Sequence, residues 1–123
     1  MAILNIDEVE AAQDWALLNV SGEIDLDTVG KLRGKLDEIE GRGVYRLILD
    51  FAQTSYVNSS ALAVLVKFAE RFREKGGGIA LVQVNQRVKL VFEMLGLLVF
   101  FKFFDSLEAA KADFPAGSAE AQG

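Results

Sequence analysis

A chain of 123 residues has room for one hydrophobic core, and 51% hydrophobic with 25% charged residues is the composition of a folded soluble protein, not a disordered one. Having neither Cys nor His, it forms no disulfide, thiolate nucleophile, Cys/His zinc centre or imidazole acid–base pair. The net charge of −5 argues against a generic nucleic-acid binder, since such binding runs through a positive patch that displaces counterions.

The opening residues, MAILNIDEVEAAQDW, carry acids and no basic n-region, and no apolar run approaches the roughly 18 to 20 residues that span a bilayer. The expectation is a cytoplasmic protein that inserts into no membrane. A single domain over residues 1–114 is expected, followed by a disordered small-residue tail at 115–123.

Residues 3–9 and 15–21 are extended candidates joined across EAAQD; Ala16, Leu18 and Val20 alternate with Leu17 and Asn19, which predicts a hairpin. After Gly22, Asp25, Asp27 and Thr28 offer helix N-caps, and Leu26, Val29, Leu32, Leu36 and Ile39 recur at helical spacing until Gly41 and Gly43. VYRLILD at 44–50 is nearly continuous in apolarity, as suits a central strand buried on both faces. A loop, FAQTSYV, is expected next. A helix then runs from the triplet Asn58, Ser59, Ser60 to Lys75 and is stopped by Gly76, Gly77 and Gly78.

IALVQV at 79–84 reads as a strand, and NQRVKLVFEML as a helix with Asn85 as cap, Val88, Val91, Phe92 and Leu95 at helical spacing, and Gly96 just past its end. The Phe-rich segment 98–104 is expected to be the last strand, either in the core or at an edge able to pair chains. DSLEAAKADF is expected to be a short final helix before Pro115. Strands alternating with helices after a leading hairpin give an α/β fold class: a small mixed sheet, first antiparallel, then parallel with crossover helices.

Three segments invite a chemical reading. The triple glycine follows a helix and precedes a strand, without the Gly-Lys-Ser/Thr and helix start of a phosphate loop, so it reads as a turn. In GEIDLD, Glu23, Asp25 and Asp27 crowd a strand-to-helix turn; capping and dipole complementation account for them, while one of them remains available to a partner. In NSSAL one oxygen suffices to cap the helix. Redundant capping explains the triplet on spacing alone; the sharper reading is that Asn58 caps and leaves a first-turn serine free for phosphorylation, which a helix N-terminus tolerates.

Turning 100° per residue from Leu62 places Leu65, Val66, Ala69 and Phe72 with it toward the core. Ala63, Val64, Lys67 and Arg71 fall on the opposite, mildly apolar and partly basic face, beside Ser59 and Ser60. Lys67 lies about two turns along the helix from Ser59, so no base is in reach to activate a serine nucleophile, and the chain does not read as an enzyme.

GEID closing an early strand, then LILDFAQTSYVNSSALAVLV, then GGGIALVQVNQRVKLVFEMLGL, resembles the STAS domain of bacterial anti-sigma factor antagonists of the SpoIIAA type, from about residue 3 to 113. The resemblance implies that Ser59 is phosphorylated by a partner that is both serine kinase and anti-sigma factor. Unphosphorylated antagonist binds that partner and frees sigma; phosphorylation breaks the complex and a phosphatase restores it. It also implies that Gly22, Glu23, Ile24 and Asp25 form a segment near the same surface, with Asp25 at the partner interface.

The expected partner-binding set is Glu23, Asp25, Asn58, Ser60, Ala63, Val64 and Lys67. No cofactor is expected, ATP and magnesium belonging to the kinase. Two positions depart from the family pattern: Asn58 stands where an acid is usual, keeping the cap but losing a charge beside the phosphoacceptor, and Ala61 adds a methyl where glycine is usual. The alternative reading is a constitutive STAS subunit that docks, without phosphorylation, on an ATP-binding cassette ATPase or a stressosome-like assembly. Oligomeric state is not legible in the sequence.

Overall fold

In a computed structural model, which describes residues 2–120 with side chains over 2–113, the chain forms β1 (Leu4–Ala11), β2 (Trp15–Ile24), α1 (Val29–Gly41), β3 (Arg46–Val57) and α2 (Ser59–Glu74). There follow β4 (Gly78–Val82), α3 (Gln86–Met94), a 3-10 turn at Leu98–Phe100, β5 (Lys102–Phe104) and α4 (Leu107–Glu120). The five strands lie in the order β1-β2-β3-β4-β5; the β1/β2 hairpin is antiparallel and every later pair is parallel. A sheet that grows strand by strand in one direction through right-handed crossovers keeps its crossover helices on one face. Residues of α1, α2 and α3 accordingly share one large core with Leu18, Val20, Leu47, Leu49 and Leu81. Leu17, Ile48, Ala80 and Val82 point the other way and meet Leu107 and Ala110 of α4. Burial on both faces is why the central strands read as unbroken apolar runs.

Four expectations are corrected. FAQTSYV is no loop: β3 continues through it to Val57 and stays paired with β2, Thr54 opposite Gly22 and Val57 opposite Ile24. Register shifts between Asn19 and Ser21 and again between Gly22 and Glu23 break the two-residue alternation, so the buried positions are Phe51, Thr54 and Val57, every third residue. The Phe-rich segment is only partly strand. Its first half is the 3-10 turn, while Phe101 and Phe103 pack edge-on against Phe92 at 5.4 and 5.7 Å between ring centroids. Leu26 lies ahead of α1 and is 75% exposed. Finally, the backbone of α4 continues helically past Pro115 to Glu120, where Ala116, Ala119 and Glu120 are good helix formers; residues 121–123 of the expected tail lie outside the described residues.

β1 is an edge strand held to α1 by charge. Arg42 donates to both Glu8 oxygens at 2.9 and 2.8 Å, and Lys35 approaches at 3.4 Å. These hydrogen bonds, Arg42 foremost, lower the Glu8 pKa from 4.5 to about 2. A carboxylate whose pKa falls on folding stabilises the protein above its unfolded pKa, and the contribution is lost as pH falls through the folded one. Glu8→Gln is therefore expected to cost about 1 kcal/mol at neutral pH, the pair being partly screened by solvent. Urea titrations should show the difference between the two proteins shrinking from about pH 4.5 to about 2.

Candidate functional site

Parallel strands bring the turns after β2, β3 and β4 to one edge of the sheet, at the N-termini of α1, α2 and α3. The first two turns are tied directly: the Asn58 N–H donates to Ile24 O at 2.9 Å. This bond sets the NSS junction beside the GEID turn. The Ser55 hydroxyl donates to Gly22 O at 3.3 Å, and the Asn85 side chain reaches back to Thr54 O at 3.1 Å, joining the third turn to the same edge.

Asp25 organises its own turn. One carboxylate oxygen, Oδ1, accepts from the Asp27 and Thr28 N–H groups at 2.9 and 3.2 Å; the Thr28 hydroxyl accepts from the Asp25 N–H at 2.9 Å and donates to Glu23 O at 2.7 Å. Oδ2 has no hydrogen-bond partner among the described residues, and the Glu23 side chain is exposed. The turn is thus self-supporting and still presents carboxylate oxygens to the outside.

At the α2 end, Asn58 Oδ1 accepts from the Ala61 N–H at 2.9 Å, the geometry of an N-cap. Ser59 is exposed and Ser60 half-buried, and neither hydroxyl has a hydrogen-bond partner among the described residues. Asn58→Ala is expected to lower stability by about 1 kcal/mol, whereas Asn58→Asp keeps the cap and adds a charge that the helix dipole favours. Chemical denaturation of the two variants checks this; equal losses would deny Asn58 its capping role.

The outer face of α2 differs from the expected one. Val64, placed outside by helical angle, is buried at 7% exposure. It lies on the stripe of Arg71, whose guanidinium pairs with Glu40 of α1 and stacks over the Phe68 ring at 4.9 Å, so the neighbouring helix closes that side. Val66, expected in the core, is only half-buried. With Ser59, Ala63, Lys67 and Glu70 it lines one wall of a groove of about 440 Å³, and Leu95 and Leu97 form the other. Val66, Leu95 and Leu97 escaped the sequence reading because their apolar spacing matches that of core residues, and Glu70 because a lone charge on a helix carries no signal of its own. Their one signal was Gly96, which ends α3 beside them.

Among the described residues there is no cluster of His, Cys, Asp and Glu fit for a metal ion, and no helix long and apolar enough to cross a membrane. The arrangement offers a binding face: an acidic turn at Glu23 and Asp25, a hydroxyl-bearing turn at Ser59 and Ser60, and an apolar groove leading away from Ser59.

The chain matches the STAS domain family over residues 7–110. The anti-sigma F factor antagonist of Paenibacillus polymyxa is 28% identical over 100 residues, 80% of this chain and 86% of that protein. SpoIIAA, an anti-sigma factor antagonist, superimposes in its unphosphorylated form with a TM-score of 0.77 at 21% identity, covering 92% of this chain and 97% of that one. The phosphorylated form of the Bacillus protein superimposes with a TM-score of 0.69 at 19% identity, covering 89% and 97%. These two likenesses establish the fold.

Proposed function

Because the chain belongs to the STAS domain family, we propose that it is an anti-sigma factor antagonist: it binds an anti-sigma factor that is also a serine kinase, so releasing sigma, until that kinase phosphorylates Ser59. A phosphatase resets the cycle, and the partnership operates in the cytoplasm. The observation that carries this reading is the division of labour at the α2 N-terminus. Asn58 alone satisfies the cap, which leaves the Ser59 hydroxyl exposed and without a hydrogen-bond partner among the described residues, at a junction tied to the Asp25 turn by the Asn58–Ile24 backbone hydrogen bond. The names of its relatives support the antagonist part, and SpoIIAA is a protein known in both phosphorylated and unphosphorylated forms.

The physics of the switch is local. A phosphate adds about −1.5 to −2 charge. The first turn of α2 contains no acid to repel it, and the positive end of the helix dipole favours it, so the helix survives and only the surface it offers changes. ATP and magnesium enter with the kinase. The test is phosphotransfer: incubated with its anti-sigma kinase and ATP, the protein should gain one phosphate at Ser59, and Ser59→Ala none. Transfer to Ser60 instead would overturn the assignment of Ser59, and no transfer would overturn the phosphorylation reading and leave a subunit that docks constitutively.

A further inference from the structure

We infer that Thr54 is a positioning residue for the phosphoacceptor: its hydroxyl locks the register of β3 against β2, and that register sets the Ser59 junction beside the Asp25 turn. The inference rests on the phosphorylation reading above and adds what holds the acceptor serine in place. Between the Asn19/Asp50 and Ile24/Val57 pairs, β2 advances five residues and β3 seven. Phe51 and Ala52 together stand against Val20, and Ser55 is passed over between Thr54 and Tyr56. In-step pairing would put Ser55 opposite Ile24 and, at about 3.3 Å per residue, carry the end of β3 about 7 Å past the Asp25 turn.

Bulges belong mainly to antiparallel pairs, so two in a parallel pair need something to hold them. Side chains supply it. At the first, Asp50 Oδ1 accepts from the Ala52 N–H at 3.0 Å and the Thr54 hydroxyl donates to Val20 O at 2.8 Å. At the second, the Ser55 hydroxyl donates to Gly22 O at 3.3 Å, and Asn85 Nδ2 donates to Thr54 O at 3.1 Å.

Thr54 is the one of these that packing does not explain. Among the described residues it alone is buried with a polar side chain, at 2% exposure, on the face that buries Phe51 and Val57. Valine would fill that space with no hydroxyl to desolvate. A buried hydroxyl is tolerated when it is bonded, and the bond then selects one arrangement of the core. The arrangements rejected here are a β3 slipped by one residue, which would turn the following side chains to the opposite face, or by two. Beyond Thr54 the last tie before the serine is the Asn58 N–H on Ile24 O. A strand free to slip would present Ser59 in several places, one of them aligned for transfer.

Phosphotransfer by the anti-sigma kinase, followed over a range of protein concentrations, tests this. Thr54→Val should lower kcat about tenfold, since misplacing a reacting group by about 1 Å can cost about 100-fold. Loss of folded protein has a different signature, because it dilutes the substrate and raises KM while leaving kcat alone. Thr54→Ser keeps the hydroxyl and gives up a buried methyl, so it should lose stability yet hold kcat within about twofold of native. Ser55→Ala, at an exposed position that does not threaten folding, should lower kcat about threefold. Hydrogen exchange reads the register without the kinase: in Thr54→Val the Asn58 N–H should exchange about tenfold faster relative to that of Leu49 in the core of β3. Native kcat in Thr54→Val, or an equal loss of kcat in Thr54→Ser, overturns the inference and leaves Ser59 phosphorylation standing. Should Thr54→Val not fold, native kcat in Ser55→Ala overturns it. If the native protein takes no phosphate, the phosphorylation reading falls, and exchange at Asn58 and Leu49 changed in equal proportion overturns the register lock as well.

Discussion

Ser59→Asp should weaken binding to the anti-sigma kinase by about 100-fold or more, because a new charge at the edge of an interface fitted to a neutral serine brings repulsion and desolvation cost. The same substitution should leave the protein at least as stable as the native one. Ser59 is exposed, its hydroxyl holds no hydrogen bond among the described residues, and it sits in the first turn of a helix that carries no acid there. A carboxylate at that position gains about 0.3 to 1 kcal/mol from the helix dipole. Ser59→Ala, which adds no charge, should bind like the native protein. Calorimetric titration and urea unfolding on the same three samples separate the outcomes. Unchanged affinity in Ser59→Asp would remove the electrostatic gate, and a matching loss of stability would show that the substitution had acted on folding instead.

Gly22→Ala is expected to cost on the order of 3 to 5 kcal/mol, a large part of the stability of a domain this size. Gly22 has φ of +117°, a conformation L side chains rarely adopt, and a Cβ there would come within 2.0 Å of the Ile3 carbonyl oxygen. The obstacle is backbone, and the neighbouring Glu23 N–H donates to that same carbonyl at 3.0 Å, so relief means pulling β1 from β2. The damage should reach function as well. Gly22 O accepts from Ser55, and the Asp25 turn begins three residues on. Urea unfolding measures the loss. A cost under about 1 kcal/mol would mean that the strand edge yields, and that the close approach of β1 does not constrain the turn.

The capping residues were legible because their chemistry is local. Asn58 and Asn85 each accept the N–H three residues ahead, as their positions before amphipathic runs imply. The leading hairpin and the alternation of strand and helix were legible for a similar reason: chirality and connection length leave few ways to arrange such a chain. The second half of β3 was not, because register shifts against β2 converted its burial to every third residue, a pattern that no single-strand rule anticipates.

The binding face divides along the same line. By itself the sequence determined the fold class, the absence of thiol and imidazole chemistry, and the presence of more capping residues at Asn58, Ser59 and Ser60 than one helix needs, since each follows from residue types and short spacings. Only the tertiary structure decided which side of α2 is open. A helical wheel ranks residues by angle but does not say where the neighbouring helices stand. α1 closes the side of Val64 and Arg71, and α3 ends at Met94 short of covering Val66, so the exposed stripe runs through Ser59, Ala63, Val66 and Lys67. Burial is a property of two surfaces meeting, and a sequence segment specifies only one of them.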